Sequence, residues 1–429
     1  MPYGMFQVFH ETGRSMPQGA DMTPNVASGW IETVSWECPL RVALVALVTL
    51  TAACASRAPA TVPDVPAPPR LSVAQVARLL PAKVKGPERE GWAGDVLAAL
   101  DAEAVLPSAS VVCQVLAVID QESGFQADPA VPGLAKLVRQ KLDATAGKLG
   151  PLGRRVLEEV LASKAKGAKR TFGARLDAAR SERDLDRLFR DMLAYYEEQY
   201  PAAYAAADLA SSLFGPSSFA GQNPITTAGS MQVSVQYAVN KAGPDADPDA
   251  VRDSLYTRAG GVRYGTARLM GFEAAYPEPL FRFADYNSGV YSSRNAALQS
   301  QVSKLTGVSL ATDGDLQLYD KNGEPRNDDS QSLKALLLFR QRYAPDLSER
   351  RVRRDVEQEK TAEFETTDTY LAVKRVYAKQ TGQPPAYAQL PQVTLKSLKL
   401  SGERTTAWFA KSVDARYQQC LTRHRQGGR

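Results

Sequence analysis

The chain has 429 residues, 44% hydrophobic and 23% charged, the balance of a globular protein with one large or two ordinary domains. Its net charge of +5 is too mild for a nucleic-acid protein, so no nucleic-acid partner is expected. The two histidines, His10 and His424, lie near the ends, and four scattered cysteines make no CxxC pair, which excludes Ser-His-Asp and Cys-His catalysis and a His-rich metal centre in the body of the chain. Carboxylate chemistry, lysine chemistry or no catalysis remains, and neither a metal nor a cofactor is expected.

Val42 to Leu50 is an apolar run too short to span a bilayer. Arg41 precedes it and Thr51-Ala52-Ala53-Cys54 follows, the pattern of a cleaved export signal. With cysteine directly after small residues, it resembles a bacterial lipoprotein signal, which implies a lipid on Cys54. Glu32 and Glu37 suit a basic leader badly, so the start is expected at Met22 or later within a 1–53 leader region. Residues 54–70 read as a tether, because the five prolines between Ala55 and Arg70 prevent helix or strand packing. Extended, that tether reaches about 50 Å at ~3.1 Å per residue. Ala55 is not the aspartate that commonly retains such lipoproteins in the inner membrane. The expected location is therefore the outer membrane, facing the periplasm.

Leu71 begins the folded part. Ser72 caps a helix running to Leu80, and Gly91–Ala104 is a second helix. Val111 to Phe125, VVCQVLAVIDQESGF, is the most informative stretch. Val112, Val115, Leu116 and Ile119 make one helix face apolar, with Pro107-Ser108 as start signals and Gly124 as a stop. At roughly 100° per residue, Glu122 projects about 60° from the centre of that face, and Asp120 points away. A carboxyl at the end of a buried helix should keep its proton more strongly than usual, and a protonated carboxyl is what a glycosidic oxygen needs as general acid. The bland alternative is a helix-end glutamate facing solvent.

Helices are expected at Gly133–Ala146, Pro151–Ala165 and Glu182–Tyr200, the last opened by Ser181 with Asp184 three residues on. From Lys136 to Arg190, fifteen Lys or Arg stand against seven Asp or Glu, a balance of +8. That face either meets an anionic glycan or lipid head groups, or is simply solvated. Tyr195, Tyr196, Tyr200 and Tyr204 either stack on sugar rings or, the commoner case, pack locally. Ala259 to Gly265 is glycine-rich without the Gly-Lys-Ser/Thr of a phosphate loop, and reads as a helix start or turn. Leu316–Tyr319 with the turn Asp320 to Gly323 suggests a small hairpin. Helices follow at Ser332–Arg342, Ser348–Lys360, Asp368–Thr381 and Thr405–Leu421. No chemistry is recognisable in residues 291–429.

Two stretches join Glu122-Ser123-Gly124-Phe125: Asn223 to Ser234, NPITTAGSMQVS, and Phe283 to Gly289, FADYNSG. In order and content the three resemble soluble-type lytic transglycosylases and goose-type lysozymes. That family has a Glu-Ser pair closing a helix, then Gly-Leu-Met-Gln, then Ala-Tyr-Asn-Ala-Gly. Here they are Gly229-Ser230-Met231-Gln232 and Asp285-Tyr286-Asn287-Ser288-Gly289, with Ser230 for the usual leucine and Ser234 for an apolar residue. The resemblance also brings to mind an uncharacterised family of proteobacterial lipoproteins. It implies a mainly α protein: a lysozyme-like (α+β) domain over 71–290, and a helical C-terminal region over 291–429 packed on it. The family's short connection between the first two motifs is replaced by 107 positions, from Glu122 to Gly229, so residues 128–222 are expected to be a helical insertion.

The implied substrate is peptidoglycan. Glu122 would protonate the oxygen between N-acetylmuramic acid and N-acetylglucosamine, then act as base toward the sugar's 6-hydroxyl, closing a 1,6-anhydro ring. Ser123 would support the helix end. Met231, Gln232 and Tyr286 would line the cleft, Asn287 would hold the turn, and Asn223 takes the place of a serine that touches the N-acetyl group. The alternatives are a hydrolytic lysozyme-like enzyme, with Asp285 as its second acid, and a non-catalytic glycan-binding envelope lipoprotein. Cys113 and Cys420 either pair in an oxidising periplasm, or Cys113 stays buried and free.

Overall fold

Ser72 accepts from the backbone N–H of Gln75, and the Gln75 side chain accepts from that of Ser72 at 2.8 Å, a reciprocal cap that starts α1 (Val73–Leu79). The structure, a computed structural model, describes residues 69–148, 150–201, 223–320, 323–395 and 404–427. The leader, Cys54, the tether through residue 68 and Tyr204 lie outside the described residues. Two further helices lead to the site: α2 (Pro87–Ala102), with proline at its first turn, and α3 (Ala109–Glu122), capped by Ser108. Beyond the apolar face, α3 buries Gln114, Gln121 and Glu122 as well, because helices pack around it on several sides.

The next four helices are α4 (Leu134–Lys148), α5 (Gly150–Ala162), α6 (Phe172–Ala178) and α7 (Glu182–Gln199). They share a small core of their own, built from Leu134, Phe172, Leu176, Leu185 and Leu188, which Ile225 completes on the chain's return. Several of the charges noted above meet across its surface, including Arg139 with Asp177 and Arg175 with Asp191, pairs worth little in stability when exposed. Tyr195 and Tyr196 stack locally with Phe172 and Tyr200.

A two-stranded ribbon follows. Strands β1 (Thr227–Ala228) and β2 (Val233–Ser234) run antiparallel, Thr227 opposite Ser234 and Ala228 opposite Val233, and the turn between them is the second motif. Ser234, out of place by the family pattern, caps α8 (Val235–Ala242) by accepting from Tyr237 N–H. Then come α9 (Pro248–Leu255), α10 (Arg258–Met270) and α11 (Pro279–Ser288), which carries the third motif. The glycine-rich stretch is the first half of α10.

The remaining chain divides. Helices α12 (Ser292–Thr306), α13 (Gln331–Tyr343), α14 (Glu349–Val356) and α15 (Asp368–Thr381) enclose a second core around Leu298, Leu336, Phe339, Phe364 and Val373. Near the expected hairpin, Tyr319 and Pro325 form a single antiparallel bridge. The last helix, α16 (Thr406–Gly427), leaves that core and packs against α3 and α11. Its Phe409, Val413 and Tyr417 join the first core. Cys420 is bonded to Cys113 of α3, with Cα atoms 5.5 Å apart. The described residues are mainly helical, as expected.

Candidate active site

Glu122 is the last residue of α3 and is 3% exposed. Ser123 ends the helix beside it: its hydroxyl donates to Ile119 O at 3.1 Å and accepts from Gln126 N–H at 3.3 Å. Gly124 and Phe125 both take positive φ, 62° and 68°, turning the chain sharply away. Phe125 tolerates that strain because its ring is buried edge-on against Trp92 at 5.5 Å. The carboxyl is thus held between a helix end and a reversed chain. Asp120 lies elsewhere, paired with Lys83 and with Arg416 at 3.6 Å.

The third motif meets the second directly. Tyr286 on α11 donates from its hydroxyl to Met231 O at 2.7 Å. Burial pushes the Tyr286 phenol well above its ordinary range, and the neighbouring charge of Glu122 pushes the same way. The second and third motifs therefore meet at this bond, and the charge of Glu122 from the first motif acts on it. Met231 contributes its carbonyl there, while its side chain is fully buried against α10. A Cβ on Gly265 would stand 2.3 Å from Met231 Sδ, and one on Gly261 2.7 Å from Ser230 Oγ. The glycines of α10 exist so that this helix can press on the motif turn. Ser230, fully buried at that contact, is small for the same reason.

Helix α7 reaches the second motif through two carboxylates. Gln232, held at φ 50°, donates from Nε2 to Glu182 Oε2 at 3.0 Å and to Gly229 O at 3.3 Å, and accepts from Thr227 Oγ1 at 3.1 Å. Asn223 donates to Asp186 Oδ1 at 2.7 Å and accepts from Ile225 N–H at 2.9 Å. Asp186 is fully buried and is balanced by Arg252 at 2.7 Å and Arg190 at 3.1 Å. Glu182 and Asp186 sit on the first turns of α7, so both amides of the second motif region are bonded to that helix. The sequence reading missed these acids. The Ser181–Asp184 cap was legible, but a contact spanning 50 positions leaves no local mark.

Asp285 is buried and engaged by its own neighbours. It is 1% exposed and accepts from Tyr276 Oη, from Ser292 Oγ at 2.9 Å and from Ser293 N–H at 2.7 Å, capping the start of α12. Burial raises its pKa, with those hydrogen bonds opposing. Asn287 accepts from Thr406 Oγ1 at 3.1 Å and so ties the third motif to the head of α16.

This architecture can be placed among known sequences. Residues 85–423 match a family model described as "Protein of unknown function (DUF1615)". The chain belongs to that family. It is similar to "Uncharacterized protein YaiW" of Escherichia coli (strain K12), 36% identical over 377 residues, which cover 87% of this chain and 96% of that protein. No solved structure matches. The DUF1615 match runs from just before α2 into α16, so it takes in all three motifs, helices α4 to α7 and the disulfide.

Proposed function

We propose that the protein cleaves peptidoglycan glycan strands as a lytic transglycosylase on a lysozyme-like fold, with Glu122 as its single acid and base. The observation that carries this reading is the Tyr286–Met231 bond, which joins the second and third motifs where the charge of Glu122, buried at the end of α3, acts on the Tyr286 hydroxyl. Burial is the condition under which a carboxyl keeps a proton to give. In the proposed reaction Glu122 donates that proton to the glycosidic oxygen as its bond to C1 breaks. The 6-hydroxyl of the same sugar then attacks C1, and its proton returns to the Glu122 carboxylate. No water is consumed, and the nucleophile is already tethered to the reacting carbon, which removes the need for a second protein base. The engagement of Asp285 with α12 fits a one-carboxylate mechanism better than a hydrolytic pair. A lipid on Cys54 and the proline-rich tether would hold the domain at the outer membrane, within reach of the periplasmic polymer.

A second reading, a glycan-binding envelope lipoprotein without catalysis, is favoured by one observation. The Asn223 and Gln232 amides, which would face substrate by the resemblance, are bonded to Asp186 and Glu182. Mass analysis of sacculus fragments separates the readings. Ends one water lighter, carrying the 1,6-anhydro ring, support the transglycosylase; reducing ends support a hydrolase; strands bound but uncut support the binding protein.

A further inference from the structure

Beside the site, Arg268 is a cation without an acidic partner among the described residues. It lies in the last turn of α10, half-buried, with its guanidinium stacked on the Tyr237 ring at 5.4 Å. Its charge acts on the Tyr286 hydroxyl, as Glu122's does, but in the opposite sense.

Ordinary structural uses of such an arginine are already taken. Asp285, whose charge reaches it, is occupied by Tyr276, Ser292 and Ser293. Glu103, the acid that acts on Tyr237, holds Lys241 at 2.9 Å. The carbonyls at the end of α10 are served by Arg282, whose Nη1 donates to Leu269 O at 2.9 Å and Phe272 O at 3.1 Å. Burial accordingly pulls the Arg268 pKa down, with only tyrosines and a distant aspartate opposing. A guanidinium drawn partly out of water without a counter-ion is an unfavourable arrangement that an arriving anion relieves. Stacking on Tyr237 holds its planar fork ready for two-point contact with a carboxylate.

We propose that Arg268 anchors a carboxylate borne on the lactyl arm of the glycan strand, either the lactyl group's own or that of the peptide attached to it. The site would thereby prefer muramic-acid strands over neutral N-acetylglucosamine polymers. This inference rests on the glycan-cleaving reading and names the part of the substrate that its site recognises.

The test is a binding measurement on the full-length protein carrying Glu122→Gln, so that strands remain intact. Three ligands are compared: peptide-bearing strands, strands stripped of peptide by an amidase, and chitin oligomers, which carry no carboxylate. The parent should bind at least one muramic-acid ligand about tenfold or more tightly than chitin. Arg268→Gln should remove that preference and leave chitin binding unchanged, and Arg268→Lys should fall between. The ligand that suffers the loss identifies which carboxylate is held. Equal binding of strands by the parent and by Arg268→Gln overturns the proposal while leaving the glycan reading intact. A parent that binds no glycan at all removes both. Should Arg268→Gln fail to fold by circular dichroism, Arg268→Lys carries the test, and an undiminished muramic-acid preference in that variant overturns the proposal.

Discussion

Gly229 has no room for a side chain. Its φ is 81°, and a Cβ there would lie 2.1 Å from Leu255 O, a backbone atom that cannot swing away. Gly229→Ala combines a left-handed backbone with overpacking and should cost about 3 kcal/mol or more. Gly382, at φ 68° in open space after α15, is the internal control, and its alanine variant should cost about 1 kcal/mol. Denaturant unfolding of the two variants measures the difference, and equal losses would contradict the crowding of the motif turn. At this scale the sequence was informative where chemistry is local. The helix period placed Glu122 beside apolar wall, and Ser72, Ser108 and Ser181 are the caps their positions suggested. It was silent where a residue serves a distant neighbour. Ser230 and Ser234 looked like departures from a motif, yet one is small beneath α10 and the other caps α8.

Between elements, the main coupling is that of α7 to the motif turn. Helices α4 to α7 were legible from periodicity, and their own small core explains why they hold together. The role of α7 beside the motif turn was not legible, because Glu182 and Gln232 lie 50 positions apart and meet only in the folded chain. A hydrogen bond to a buried carboxylate contributes about 1.5–3 kcal/mol, so a double-mutant cycle of Glu182→Ala and Gln232→Ala should show a coupling of that size. Additive losses would mean that α7 stands beside the motif turn without holding it. The glycines of α10 carry the same lesson. Their run reads as a helix start or turn; it is the start of α10, and in three dimensions also a docking face.

For the whole molecule, the first core is closed by the chain's last helix. Cys113 and Cys420 join α3 to α16 across 307 positions, a pairing that composition allowed but did not decide. Replacing both with alanine should cost about 2–5 kcal/mol, seen as a lower melting temperature that reductant no longer changes. Two free thiols in protein taken from an oxidising compartment would contradict the bond. Closure of this kind puts Asn287 against Thr406 and keeps the wall behind Glu122 dry. The central claim is that this buried carboxyl does the chemistry. Glu122→Gln keeps shape and a hydrogen-bond donor but removes the transferable proton, a contribution typically worth about 10²–10⁴-fold in rate. The most direct measurement is mass analysis of sacculi incubated with wild-type protein and with Glu122→Gln, each checked for wild-type-like folding. The wild type should yield 1,6-anhydro ends and the variant none above background. Equal product from both, or none from the wild type, would contradict that claim.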